Sequence, residues 1–320
     1  MQTLSDIAVY LAKKQPEILN DMLEETPIIR TMPVRGATHG FKNVYSEVTD
    51  IKGPREVQRN DELPTVSIST DLKEVTLGKI GGVLPIPDDT AIACGGYARY
   101  VNDRIPSIVR EGADRNEKVI YYDGFMATAI KNNQVMSVGG STANKQFSMV
   151  AVHWDHASTV GLFNPNAVSN GKLFEQGFLN GGNKYKIAVR NADGSISFPI
   201  GKEYYVQMEF GVQLASQRSV AALVNIEPVE NSSDRDKVDG LPTAKDMGDL
   251  LAAVRATSGS TIIYCHPKLI TLMAAKYNLR TRSVQNGEKT VSFNLVEWND
   301  IPFVGSYNVL DGKEDVVAVA

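Results

Sequence analysis

Residues 40–80 read GFKNVYSEVTDIKGPREVQRNDELPTVSISTDLKEVTLGKI. Apolar side chains alternate from Phe41 to Val44 and Val48, then around Val66 and Ile68, and again at Val75 and Leu77. Period-two alternation rich in β-branched residues predicts strands. Between the two runs lies IKGPREVQRNDELP, in which Lys52, Arg55 and Arg59 balance Glu56, Asp61 and Glu62. The stretch predicts one long hairpin with a charged tip, each limb reaching about 50–60 Å at roughly 3.3 Å per residue. A hairpin of that reach cannot bury its surface on its own domain, and a two-stranded ribbon has little stability alone. It needs a partner surface, or it stays mobile.

On the N-terminal side, Leu4, Ile7, Ala8 and Leu11 are spaced for one helical face, with Thr3 and Asp6 as a weak capping box. Pro16 fits the first turn of a second short helix carrying Ile18, Leu19, Met22 and Leu23, which Thr26-Pro27 and Met32-Pro33 then stop. On the C-terminal side a helical pattern runs from about Tyr97 to Asp123, with Val101, Ile105, Ile108, Gly112 and Val119 as its apolar stripe and Gly124 as its stop. Its length is roughly 40 Å at 1.5 Å per residue. Residues 132–145 read as a linker. From 147 to 226 turns are frequent and strands dominate, and Val206, Met208, Phe210, Val212 and Leu214 form the cleanest alternation in the chain. The last part mixes helices (Ala244 to Val254, Lys268 to Lys276) with strands at 261–265, 291–296, 302–305 and 316–319. The fold class is α+β.

The composition is that of an ordinary water-compatible chain: 320 residues, 42% hydrophobic, with 33 Lys+Arg against 37 Asp+Glu for a net charge of -4. No run approaches the roughly 18 apolar residues of a membrane span. The start, MQTLSDIAVYLAKK, has no basic-then-apolar region, so export is not expected. Slight acidity argues against a tight nonspecific grip on nucleic acid. Cys94 and Cys265 make neither a disulfide framework nor a zinc pattern.

Chemistry-bearing motifs are absent. His153 and His156 would face opposite sides of a strand and lack a third ligand at recognisable spacing. Cys265-His266 is followed by Pro267 and reads as a packed strand end rather than a thiol nucleophile. The glycine pairs fit no phosphate-binding loop, and no nucleophile elbow or zinc helix occurs. Trp154 and Trp298 read as core or interface anchors. No enzyme activity, cofactor or metal is expected.

The order of elements (arm, long charged-tip hairpin, long helix, β-rich stretch, mixed end) resembles the Hong Kong 97-type coat proteins of tailed bacteriophages. RIPSIVREGADRNEKVIYYDG (104–124) is similar to their spine helix, TIIYCHPKLITLMAA (261–275) to the axial-domain strand and helix, and WNDIPFVGSYNVLDGKEDVV (298–317) to the closing peripheral strands. Within 151–226, His153, Trp154, Val160, Gly161, Pro165, Gly211, Val212, Arg218, Asn225 and Ile226 resemble the β-insertion of certain short-tailed phages, while Asp155-His156 and Gln217 depart from it. The resemblance implies six segments: an N-terminal arm (1–39), an extended-loop hairpin (40–85), the spine helix with the start of the peripheral domain (86–146), an inserted β-domain (147–226), an axial domain (227–297) and closing peripheral strands (298–320).

It also implies a major capsid protein that assembles from hexamers and pentamers in a bacterial cytoplasm into an icosahedral shell around double-stranded DNA. The implied partners are further copies of itself, scaffolding protein, portal, a decoration protein, and DNA without sequence-specific binding; no membrane is involved. Lys52, Arg55, Glu56, Arg59, Asp61 and Glu62 at the hairpin tip are then the expected intersubunit contacts. Two readings compete: a carbohydrate-binding or adhesin-type virion protein built on 147–226, and a hydrolase with its site on loops. An adhesin would need neither hairpin nor long helix, and a hydrolase would need convergent acid and base groups.

Overall fold

A computed structural model describes residues 26–53, 56–57, 62–63, 65–155, 157–166, 175–231, 234–284 and 293–319. The two helices expected before residue 25 lie outside these. At the centre is a seven-stranded sheet in the order Arg280–Val284, Phe293–Trp298, Ile301–Gly305, Thr261–Cys265, Phe147–His153, Val220–Ile226, Val135–Ser137. Its middle strands are apolar at nearly every position because both faces are covered. Met149, Ala151, Ala221 and Leu223 face the helices Ala244–Ala253 and Pro267–Tyr277, through Met247, Leu250, Leu269 and Met273. Val150, Val152, Val220 and Ala222 point the other way, into a larger core with Tyr121, Phe125 and Trp154. Successive residues of one strand thus feed two cores, as the pleat requires.

The helices over this sheet begin with side-chain caps. Thr243 and Asp246 form a reciprocal capping box, and His266 Nδ1 accepts the Lys268 N–H at 3.2 Å. Cys265 ends its strand fully buried, and burial pushes its thiol pKa well up. Residues 316–319 are not a strand. Val317 instead pairs through both backbone groups with the Asn225 side-chain amide, at 2.8 Å each.

The second sheet has six strands. Its path is Val34–Gly36, Thr159–Phe163, Ile200–Leu214, Gly78–Pro87, with Glu175–Phe178 and Tyr185–Lys186 also on the long strand Ile200–Leu214. That strand shows the expected alternation, burying Val206, Met208 and Phe210. Opposite it Gln207 pairs with Gly81, where an added Cβ would lie 2.8 Å from the Val206 carbonyl, so the close approach requires glycine.

Pairing and burial correct several of the expected bounds. The stretch 147–226 is not a self-contained lobe: its first and last strands are central-sheet strands, and its middle pairs with 34–36 and 78–87. Alternation marks a strand but does not name its partner. Residues 26–37 belong to the body rather than to an arm, with Ile28, Ile29 and Met32 fully buried. The expected second hairpin limb also divides at Leu77, its continuation Gly78–Pro87 joining the second sheet. The expected linker contains the short edge strand Val135–Ser137, parallel to Val220–Ile226.

The long helix spans Tyr97–Val119, continues as π-helical turns over Ile120–Met126, and ends as an α-helix at Ala127–Lys131. Gly124 therefore does not stop it. The turns carrying Tyr121 and Phe125, both fully buried, are held by tertiary packing that outweighs one helix-weakening glycine. The buried stripe is Val101, Ile105, Val109, Ala113 and Ile120, while Val119 of the expected stripe is 52% exposed and Ile108 also faces outward. Steps of four residues carried the true stripe past the expected one.

Candidate self-association surface

The extended hairpin pairs Lys42–Lys52 with Ser67–Thr76, in register from Lys42 opposite Thr76 to Lys52 opposite Ser67, with a bulge between Val48 and Asp50. Among the described residues these two strands form a sheet of their own. A buried polar cluster anchors the root. Asn43 is fully buried; its Nδ2 donates to Gln213 Oε1 at 2.5 Å and its Oδ1 accepts the Thr38 N–H at 3.2 Å. Gln213 also receives Arg35 Nη2 at 2.9 Å and donates Nε2 to the Ala157 carbonyl at 3.1 Å. A small core of Ala37, Leu77, Val160 and Leu162 underlies this cluster. The strand that crosses the second sheet therefore fixes the hairpin's exit.

Beyond the root the ribbon leaves the body. Every residue of Ser67–Thr76 except Val75 is exposed, with Ile68 at 67% and Leu72 at 80%. Val66 and Leu63 are exposed as well. Val66, Ile68 and Leu72 lie two and four residues apart, so they share one face. Val66 and Ile68 of this stripe were visible in the sequence as alternation, but alternation reads as an inward face until the strand is known to lie outside the body. Of the tip residues, Lys52, Glu56 and Glu62 are exposed, and Arg55, Arg59 and Asp61 lie outside the described residues. Near the root, Lys42 pairs with Glu74 at 2.5 Å.

A second unfilled apolar surface lies alongside the long helix. Ile80, Gly81, Ile108, Gly112, Val206 and Met208 line an open groove of about 230 Å³.

The remaining sequence candidates are structural. His153 Nδ1 bonds Thr261 Oγ1 at 3.1 Å, and His156 lies outside the described residues. Trp154 Nε1 donates to the Tyr264 hydroxyl at 3.1 Å, which also meets Thr31 Oγ1 at 3.1 Å, while Phe125 stacks on Tyr264. Trp154 is thus a core anchor, and Trp298 packs edge-on against Tyr277. Glu314, buried, accepts Tyr122 Oη at 2.7 Å and Ser148 Oγ at 2.8 Å, and burial raises its pKa. Among the described residues no group of three His, Cys, Asp or Glu side chains could hold a metal, and no helix is long and apolar enough to cross a membrane.

No family model matches the sequence, and no curated protein matches it. Solved structures do. Bacteriophage Epsilon15, from cryo-EM at near-atomic resolution, aligns over 90% of this chain and 88% of its own at 14% identity, with a TM-score of 0.53. The bacteriophage JBD30 capsid aligns over 87% and 88% at 9% identity with a TM-score of 0.46, and the SrpI encapsulin of Synechococcus elongatus PCC 7942 over 63% and 88% at 9% identity with a TM-score of 0.44. The chain has the Hong Kong 97-type fold, an α+β architecture with an extended hairpin and a long helix.

Proposed function

We propose that this chain is the major capsid protein of a tailed bacteriophage, self-assembling through hexamers and pentamers into an icosahedral shell around double-stranded DNA. The observation that carries the reading is the hairpin: a rooted, regular ribbon whose apolar side chains Val66, Ile68 and Leu72 stay exposed among the described residues. On the fold shared with Epsilon15, a neighbouring copy is the natural cover. Magnitudes rank the contacts. Fully burying Ile68 or Leu72 is worth about 1.5–3 kcal/mol each, whereas exposed ion pairs at the tip are worth about 0.2–1 kcal/mol. The apolar stripe supplies affinity, and the tip residues Lys52, Arg55, Glu56, Arg59, Asp61 and Glu62 supply register.

Scaffolding protein, portal, a decoration protein and packaged DNA are the partners such a shell would take, with assembly in the host cytoplasm and residence in the virion. Placement in the short-tailed branch rests on the residues of 151–226 quoted above. The adhesin reading loses its basis, because 147–226 is woven into both sheets. Negative-stain electron microscopy of the purified full chain tests the proposal. Shells or capsomer rings are expected; a monodisperse monomer at high concentration across salt and pH, with or without a co-expressed scaffold, would refute it.

A further inference from the structure

A smaller hairpin, residues 184–202, runs off the end of the long strand Ile200–Leu214. Tyr185 pairs with Gly201, Lys186 with Ile200, Val189 with Ser197 and Arg190 with Ile196. Asp193 closes the turn between the limbs, accepting the Ser195 N–H at 2.9 Å. The pleat gives this ribbon two different faces. Ile187 on the inner face is buried, whereas Ile196, Phe198 and Ile200 on the outer face are 60%, 64% and 58% exposed. On the facing strand the same outer face carries Lys186 and Arg190, both exposed and without an ion pair among the described residues. One limb thus offers an apolar row and the other a basic row.

The body covers only the inner end of this face. Lys184 pairs with Asp88 at 2.7 Å, and Lys202 Nζ lies 4.9 Å from the Tyr97 ring centre, where the long helix begins. The long strand runs back along that helix, from Met208 opposite Ile80 beside Gly112 to Lys202 at Tyr97. The hairpin therefore points onward, past the start of the helix.

Residues 16–25, PEILNDMLEE, carry the matching pattern. They lie outside the described residues. On the helix that the sequence predicts from Pro16, Ile18, Leu19, Met22 and Leu23 share one side, and Glu17, Asp21, Glu24 and Glu25 line its flank with no basic residue among them. An apolar row with an acidic edge is the complement of an apolar row with a basic edge.

Reach excludes the subunit's own copy of this segment. Thr26 is fully buried, and the Ile28 and Ile29 N–H groups face the buried Glu117, so the chain enters the body near that point of the long helix. Tyr97 lies about 30 Å away along the helix at 1.5 Å per residue, whereas a helix over residues 16–25 spans only about 15 Å.

We propose that the outer face of the hairpin 184–202 receives residues 16–25 of a neighbouring copy, with Ile196, Phe198 and Ile200 against the apolar side of that segment and Lys186 and Arg190 against its acidic edge. The dock rests on the self-assembly reading, since it needs a second copy, but it uses neither limb of the extended hairpin.

Two differently tagged full-length chains, one carrying Met22→Cys and the other Ala188→Cys, can be co-assembled and treated with a short bis-maleimide. A mixed dimer is expected, well above what either variant gives alone. Adding Lys186→Glu with Arg190→Glu to the Ala188→Cys chain should lower its yield about tenfold, as the loss of two exposed ion pairs allows. Glu17→Lys with Asp21→Lys in the other chain should restore it. Shells without the mixed dimer, or a dimer indifferent to the reversals, would overturn the dock and leave the shell reading standing. A cross-link confined within single chains that carry both cysteines would also overturn it, by placing the segment on its own subunit. Failure to form any shell or capsomer would bring down the shell reading and the dock with it. Should the reversed variant misfold, the mixed dimer of the parent pair still decides.

Discussion

The central sheet and the extended hairpin are built from the same material and end in opposite states. Phe147–His153 and Val220–Ile226 bury side chains on both faces, whereas Ser67–Thr76 buries almost none. Both contain β-branched residues in regular strands with good registers. The difference lies in what covers them. Helices of the same chain close the sheet, and among the described residues none closes over Ser67–Thr76. Apolar surface in the first region therefore supports the subunit, and apolar surface in the second is available for association.

Substitutions can separate these two uses. The largest effect on subunit stability is expected at Leu223, fully buried beneath Met247 and Leu250. Leu223→Ala should cost about 2–5 kcal/mol in chemical denaturation. An effect near zero would mean that the central sheet is not the stabilising core.

At the boundary, Asn43→Ala would strip the Gln213 carbonyl of one buried donor and leave the Thr38 N–H without its acceptor. The expected loss is about 1–3 kcal/mol, together with faster proteolysis at the hairpin root. The double variant Ile68→Ser with Leu72→Ser should alter subunit stability by no more than about 0.5 kcal/mol, as at other exposed sites. It should nevertheless remove most of the shell yield in sedimentation. If it unfolds the subunit instead, the contrast between the regions fails.

Reversing Arg55 and Arg59 to Glu should leave circular dichroism unchanged and reduce shell yield less than the apolar pair does, since screened ion pairs are weak individually. Normal yield and an unchanged disruption temperature would remove the tip from the contact. A small gain in stability, read by chemical denaturation, is expected for Gly112→Ala. Its added Cβ would meet Ile80 Cγ2 at an ordinary 3.6 Å, and the helix should gain about 0.5–1 kcal/mol.

Much of this contrast was legible in the residues. Alternation located both limbs of the hairpin and the long strand through Val206 and Phe210, because pleat geometry writes directly into sequence. What it could not write was partnership. The apolar run at 147–153 reads the same whether it pairs inside an inserted lobe or beside Thr261–Cys265. Ile68 and Leu72 likewise look inward until the ribbon is seen to stand away from the body. Val316, Val317 and Val319 have strand composition, yet one side-chain amide, Asn225, takes the place of a neighbouring strand. Glu117 gave no signal at all, since a lone carboxylate in a helical pattern reads as solvated until its neighbours are known.

The π-helical turns at Ile120–Met126 have a consequence for the phase of the long helix. Ahead of them the rod packs on Gly78–Pro87 of the second sheet; the π-helical turns touch Ile200–Leu214 of that sheet as well as Phe147–His153 and Val220–Ile226 of the central one, and the helix beyond them packs on Val220–Ile226. A π-turn accommodates an additional residue, and each residue turns an α-helix by about 100°. The segment therefore works as a gear offset, letting one rod mesh with two sheets. Deleting a single residue there would keep the helix and both sheets locally intact, yet bring every downstream tooth to the wrong side.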